Sequence, residues 1–143
     1  MDLFDRLFVI TAFSLQGALL AYFIWRKIDF GAALRWGWLV YALALPAVVI
    51  SLILLLAGKS WFLWIGGFLF LAWALFGFNI DILRATPWRN PINPPLFFPY
   101  VTLYLAAQMF YWWPLGTLNR SSWYIYAFLF VLSTFFNWTS HAS

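Results

Sequence analysis

Five apolar stretches of this chain, each between 16 and 22 residues long, contain no charged side chain. The charged residues, eight Lys or Arg and four Asp, fall between or beside these stretches. A soluble domain carries about a quarter of its residues as charges, so a chain with only 8% cannot cover its surface with them. We therefore expect an integral membrane protein. The five stretches are residues 7–25, 36–57, 61–80, 96–115 and 123–138.

Each of these stretches predicts a membrane-spanning helix. About 20 helical residues, rising about 1.5 Å each, cross about 30 Å of hydrocarbon, where no water can satisfy loose backbone groups. The strands of a membrane β-barrel would alternate apolar and polar residues, whereas residues 52–56 and 68–76 are apolar throughout. We expect an all-α polytopic bundle of five spans in one domain, residues 1–143. Four spans plus a re-entrant segment is the alternative.

The positive residues predict how such a bundle is oriented. Loops rich in Lys and Arg remain in the cytoplasm, so the side with more of them is the inner side. One side carries five of them, namely Arg26, Lys27, Arg35, Arg84 and Arg89, and the other carries Arg6, Lys59 and Arg120. This count predicts that the N-terminus is outside and the C-terminus is cytoplasmic. We expect the bacterial plasma membrane as the location.

Small and polar residues recur on one face of the third predicted helix. Gly67, Ala74, Gly77, Asp81 and Arg84 are 7, 3, 4 and 3 residues apart, so they share a face. Small residues on that face allow a neighbouring helix to approach closely. A carboxylate at the membrane edge needs a partner, and Arg84 is the nearest cation. Asp81 therefore belongs either to a substrate, proton or ion-pair site or to a structural pair with Arg84.

The last predicted helix ends in a polar stripe on the same side as Asp81. A segment with five prolines, residues 87–99, lies between the third and fourth spans and could close that end of the bundle. This juxtaposition predicts an inward-facing pocket suited to a small anion or a lipid phosphate. The alternative is that the end of the chain is a frayed tail. The candidate residues are Asp81, Arg84, Arg89, Asn137 and His141.

Three other residues inside the predicted spans are candidates for a special role. Gln16 and Gln108 carry amides that, in lipid, commonly bond across to another helix, although contact with a substrate is the alternative. Pro46 removes the backbone bond to the carbonyl of Ala42 and predicts a kink, which acts either as a fitted bend or as a hinge.

The sequence contains no motif that indicates catalysis. The absence of Cys excludes disulfides and thiolate chemistry, and the single His has no obvious nucleophile partner, so we expect no cofactor and no metal. The partners expected are the lipid bilayer and other membrane subunits or a second copy, but not nucleic acid. We expect a non-enzymatic binding module or an accessory subunit of a membrane complex. The alternatives are a small transporter or channel for an anionic or apolar solute, and a lipid-modifying enzyme.

Overall fold

The computed structural model describes residues 2–84 and 93–140, which form helices and turns but no β-strand. The prediction of an all-α chain is confirmed for these residues. A π-helical turn, Asn79–Leu83, directly follows the fifth helix. The α-helices are α1 (Leu3–Ile28), α2 (Phe30–Arg35), α3 (Trp38–Ala42), α4 (Ala44–Leu56), α5 (Trp61–Phe78), α6 (Pro94–Trp112), α7 (Leu115–Leu118) and α8 (Arg120–Ser140).

The long helices run alternately between two ends of the bundle, which we call the Lys59 end and the Asp81 end. At the Lys59 end, the ammonium of Lys59 lies 2.9 Å from a carboxylate oxygen of Asp2, so the start of α1 meets the turn between α4 and α5. The ring centroids of Trp61 and Trp113 are 6.1 Å apart at the same end, which places the end of α6 beside the start of α5.

The Asp81 end joins the opposite termini of these helices. Tyr41, on α3, donates a hydrogen bond to Asp81 in the π-helical turn. Arg26, near the end of α1, donates to Asn137, near the end of α8. The described start of α1 and the described end of α8 therefore lie at opposite ends of the bundle.

The helices form a ring around an aromatic core. Helix α5 packs between α4 and α6, while α1 packs between α4 and α8. Trp73 occupies the middle of the core, with 1% of its surface exposed. Its ring contacts the rings of Tyr41, Phe70, Tyr100 and Tyr104 at centroid distances of 5.3 to 6.1 Å.

The small-residue face of α5 packs closely against its neighbours, as the spacing predicts. A Cβ atom on Gly67 would lie 2.6 Å from the carbonyl oxygen of Ala47, so only glycine allows α4 to come this near. A Cβ atom on Gly77 would lie 2.5 Å from the ring of Tyr41. Close packing of backbones is the way in which apolar helices gain contact where no water drives them together.

The second predicted span is interrupted near its proline. Helix α3 ends at Ala42 and α4 begins at Ala44, so the interruption is at Leu43, three residues before Pro46. Because Pro46 has no N–H to donate to the carbonyl of Ala42, the regular bonding pattern fails at this point. An interruption is therefore present near Pro46, and the predicted kink, as a fitted bend or as a hinge, stays a prediction.

The structure supports fewer spans than the sequence predicts. Three stretches of the described residues are long and apolar enough to cross a membrane, namely Leu3–Ile28, Trp38–Leu56 and Trp61–Asp81. Helices α6 and α8 have 19 and 21 residues, so length does not separate them from the other three. Tyr, Gln, Ser and Asn side chains lower the hydropathy of these two helices, and α6 also contains three prolines. Five spans are therefore not confirmed.

Candidate functional site

Arg26 is the charged residue buried most completely in the described structure, with 0% of its surface exposed. The first helix continues to Ile28, beyond the predicted end at Trp25, and this extension places Arg26 on the inward face. It lies three residues after the buried Phe23 and continues the spacing of that face. The inward face of α1 consists of Phe8, Ala12, Leu15, Gln16, Leu19, Phe23 and Arg26.

The guanidinium of Arg26 is held by the last turn of α8. Its Nε donates to the hydroxyl of Ser140 at 2.8 Å, and one Nη donates to both the carbonyl and the side-chain oxygen of Asn137, at 3.2 and 2.5 Å. The guanidinium carbon also lies 5.6 Å from the ring centre of Tyr22 and 5.0 Å from that of Phe23, within the range of cation–π attraction. We call Arg26, Asn137 and Ser140 the arginine clamp.

A second polar contact at this end joins α3 to the π-helical turn. The phenol of Tyr41 donates to a carboxylate oxygen of Asp81, which is partly buried. The side chain of Arg84 is exposed. Among residues 2–84 and 93–140, the ion pairs are those of Lys59 with Asp2 and Asp5, so the structural pair considered between Asp81 and Arg84 is not formed. The phenol of Tyr41, from another helix, is a partner of this carboxylate.

A third set of polar groups links the helices in the interior. The amide of Gln16 donates to the hydroxyl of Ser133 at 3.0 Å, and the phenol of Tyr104 lies 3.0 Å from the same hydroxyl. The phenol of Tyr126 donates to the amide oxygen of Gln108 at 2.6 Å. Each amide therefore bonds a side chain of α8, and the two do not bond each other.

Two of the predicted pocket residues, Asn137 and Asp81, bond different helices in the described structure. Asn137 bonds Arg26, while Asp81 bonds Tyr41, and the rings of Phe23, Tyr104 and Trp73 connect the two contacts. The side chain of Arg84 is exposed. Arg89 and His141 lie outside the described residues. An anion pocket lined by all five residues remains a prediction.

Comparison with known proteins gives no relative. No protein-family model, no curated protein sequence and no solved structure matches this chain.

Sequence reasoning missed the central member of the arginine clamp. The apolar run ends at Trp25, so the sequence predicts Arg26 to be a loop charge that orients the bundle. The signal that identifies it is the spacing of the apolar face of α1, which continues through Phe23 to Arg26. A similar signal exists on α6, where Tyr100, Tyr104 and Tyr111 are 4 and 7 residues apart and all are buried.

At the Lys59 end, ion pairs join the start of α1 to the turn between α4 and α5. The ammonium of Lys59 lies 2.9 Å from Asp2 and 3.0 Å from Asp5, and the Asp2 side chain is exposed. The hydrogen bond from Lys59 holds the pKa of Asp2 below its ordinary value of 3.8. The same bond holds the pKa of Lys59 above its ordinary value of 10.5. We call Asp2, Asp5 and Lys59 the terminal clasp.

Proposed function

We propose that this chain is an integral membrane protein without catalytic activity, serving as a binding module or an accessory subunit of a membrane complex. The observation that supports the proposal is that polar side chains in the interior bond other helices. Arg26, Gln16 and Gln108 are engaged in hydrogen bonds that join α8 to α1 and to α6. Such bonds hold helices together in a medium without water.

The outer surface of the bundle supports residence in a membrane. Large apolar side chains are exposed on several helices, including Leu45 at 70%, Leu56 at 86% and Val131 at 69%. Soluble monomers rarely expose apolar area over several contiguous faces. Hydrocarbon is a suitable solvent for this surface.

Five crossings and the orientation belong to the same proposal. Helices α6 and α8 complete the ring around Trp73 and Tyr104, and the long helices alternate in direction. The simplest arrangement is that all the long helices of this ring cross the membrane together. The polar faces of the less apolar helices then lie inside the ring, away from lipid. The excess of Lys and Arg at the Asp81 end favours the cytoplasm for that end and the outside for the N-terminus.

Purification from the native membrane tests the proposal. Alkaline carbonate should leave the chain in the membrane pellet, and a mild detergent should extract it together with a stoichiometric partner. Release of the chain by carbonate would contradict membrane residence. A monodisperse species containing this chain alone would contradict the role as an accessory subunit.

Reconstituted vesicles separate the proposal from the transport alternative. We expect no solute flux above that of empty vesicles, and no difference between the wild type and Asp81→Asn. Asp29→Asn is the matched control, because Asp29 is an exposed carboxylate at the same end whose side chain accepts from the backbone of Ala32. Flux that Asp81→Asn abolishes and Asp29→Asn preserves would favour a transporter instead.

A further inference from the structure

A groove of about 280 Å³ lies between α1 and the start of the second long helix, at the Asp81 end. Ala18 and Ala21, three residues apart on α1, leave the hollow because they have the smallest side chains that still favour a helix. The volume is slightly below the range of pockets for drug-sized molecules and suits a narrow apolar chain. Its lining consists of Ala18, Ala21, Tyr22, Trp25, Trp36, Leu39, Val40 and Leu43.

The mouth of this groove is formed by the end of α1 and by the segment that connects α1 to α3. The phenol of Tyr22 donates to the carbonyl oxygen of Ala33 at 3.1 Å, which ties α2 to α1. Trp25 and Trp36 line the groove and expose 37% and 49% of their surfaces. Indole rings favour the level of lipid headgroups, where the ring is buried and the N–H remains hydrated. The groove therefore runs from the apolar middle of the bundle to a headgroup-like border.

A cation lies next to this border along the chain. Arg35 directly precedes Trp36, its side chain is exposed, and no carboxylate of the described residues forms an ion pair with it. The nearest acidic residue in the sequence, Asp29, caps the other end of α2 by accepting from the N–H of Ala32 at 3.1 Å. A helix of six residues places these two ends about 9 Å apart.

We propose that this groove binds one acyl chain of an anionic phospholipid whose phosphate contacts Arg35. The apolar lining matches the chain, the two indoles match the glycerol level, and a guanidinium binds phosphate through paired hydrogen bonds. Phosphatidylcholine offers the same acyl chain but no net negative charge, so charge complementarity selects the anionic lipid. This inference depends on the membrane residence proposed above.

Native mass spectrometry of the chain, released from vesicles of equal amounts of phosphatidylglycerol and phosphatidylcholine, tests the inference. We expect retention of phosphatidylglycerol at least threefold above phosphatidylcholine in the wild type. Arg35→Gln should abolish this preference, because the phosphate loses its cation. Arg120→Gln, which removes an exposed cation at the Lys59 end, is the matched control and should preserve it. Equal loss in both variants would assign the preference to net charge and overturn the proposal.

A second pair of variants tests the groove itself. Ala21→Leu fills the hollow from an exposed position and should reduce retention of phosphatidylglycerol at least threefold. Ala127→Leu fills a different apolar groove, between α6 and α8, and should leave retention unchanged. Equal retention in the two alanine variants would overturn the proposal. A chain that never enters the vesicles would instead contradict membrane residence, so the two failures are distinguishable.

Discussion

The seam between α1 and α8 and the seam between α4 and α5 hold helices together in opposite ways. The first uses polar side chains, with Arg26 bonded to Asn137 and Ser140, and Gln16 bonded to Ser133. The second depends on a glycine. A Cβ atom on Gly67 would lie 2.6 Å from the carbonyl oxygen of Ala47, so the two helices can approach this closely only because Gly67 has no side chain.

Comparison of the two seams explains how a chain with few polar residues can bury the charge of Arg26 in its interior. The close-packed seam gains its contact at a glycine, whereas most of the buried polar side chains form hydrogen bonds to or from α8. A buried guanidinium is tolerated only where hydrogen bonds replace its water, and the last turn of α8 supplies three acceptor atoms. The two seams should therefore fail differently when they are mutated.

Removal of an acceptor from the arginine clamp should have the largest effect. We expect Asn137→Ala to lower the free energy of unfolding by about 3 kcal/mol, because the buried guanidinium loses a charge-assisted bond without gaining water. Asn137→Asp keeps an oxygen at the same position and should lose less than half as much. The measurement is unfolding by sodium dodecyl sulfate in mixed micelles. An equal loss in the two variants would show that the acceptor is not what stabilises this seam.

Addition of one methyl group to the close-packed seam should have the next largest effect. We expect Gly67→Ala to cost about 2 kcal/mol, because the new Cβ would meet the backbone of Ala47, which cannot rotate away. Gly17→Ala is the matched control, since nothing lies within 4 Å of its Cβ position, and it should be neutral or stabilise α1. Equal thermal midpoints for the two variants, measured by circular dichroism, would contradict the close approach.

The two buried glutamines should differ from each other. Gln108→Leu leaves the buried phenol of Tyr126 without its acceptor, so we expect a loss of about 2 kcal/mol. Gln16→Leu should cost less than about 1 kcal/mol, because its amide oxygen has no hydrogen-bond partner in the described structure and Ser133 retains a bond to the carbonyl of Phe130. The same unfolding titration gives both values, and the reverse order would contradict this reading of the interior.

The terminal clasp should give the smallest effect, and one that depends on pH. The lowered pKa of Asp2 gives stability that is present at neutral pH and lost as the pH falls below 3.8. The raised pKa of Lys59 gives stability that is lost as the pH rises above 10.5. We expect a small difference in thermal midpoint between the wild type and Lys59→Gln at neutral pH, shrinking at both extremes and in high salt. A difference that is constant from pH 3 to pH 11 would exclude the clasp as its source.

Much of the fold was predictable because it follows from runs of apolar residues. The helical class and the packing face of α5 can be read from composition and spacing. The number of crossings could not be settled, because α6 and α8 use Tyr, Gln and Asn on their inward faces. Those side chains lower the mean hydropathy of a helix, but hydropathy alone does not show whether they face lipid or the interior of the bundle.

The candidate site was less predictable than the fold. Asn137 was identified from helical spacing, but its partner Arg26 was not, because a cation at the end of an apolar run was assigned to the loop. Spacing offers Arg84, three positions along the chain, as a partner of Asp81, whereas the structure brings Tyr41 to this carboxylate from another helix. Long-range pairs of this kind depend on how the helices are arranged in the ring, which the spacing of residues along one helix does not reveal.

Single engineered thiols test the central claim, a ring of helices crossing the membrane five times, most directly. The chain has no Cys, so Lys59→Cys, Arg84→Cys and Arg120→Cys can each be labelled from one side of sealed vesicles by a thiol reagent that does not cross lipid. Five crossings predict that positions 59 and 120 are labelled from the same side and position 84 from the opposite side. Labelling of position 120 from the same side as position 84 would show that α6 does not cross, and it would contradict a bundle of five crossings.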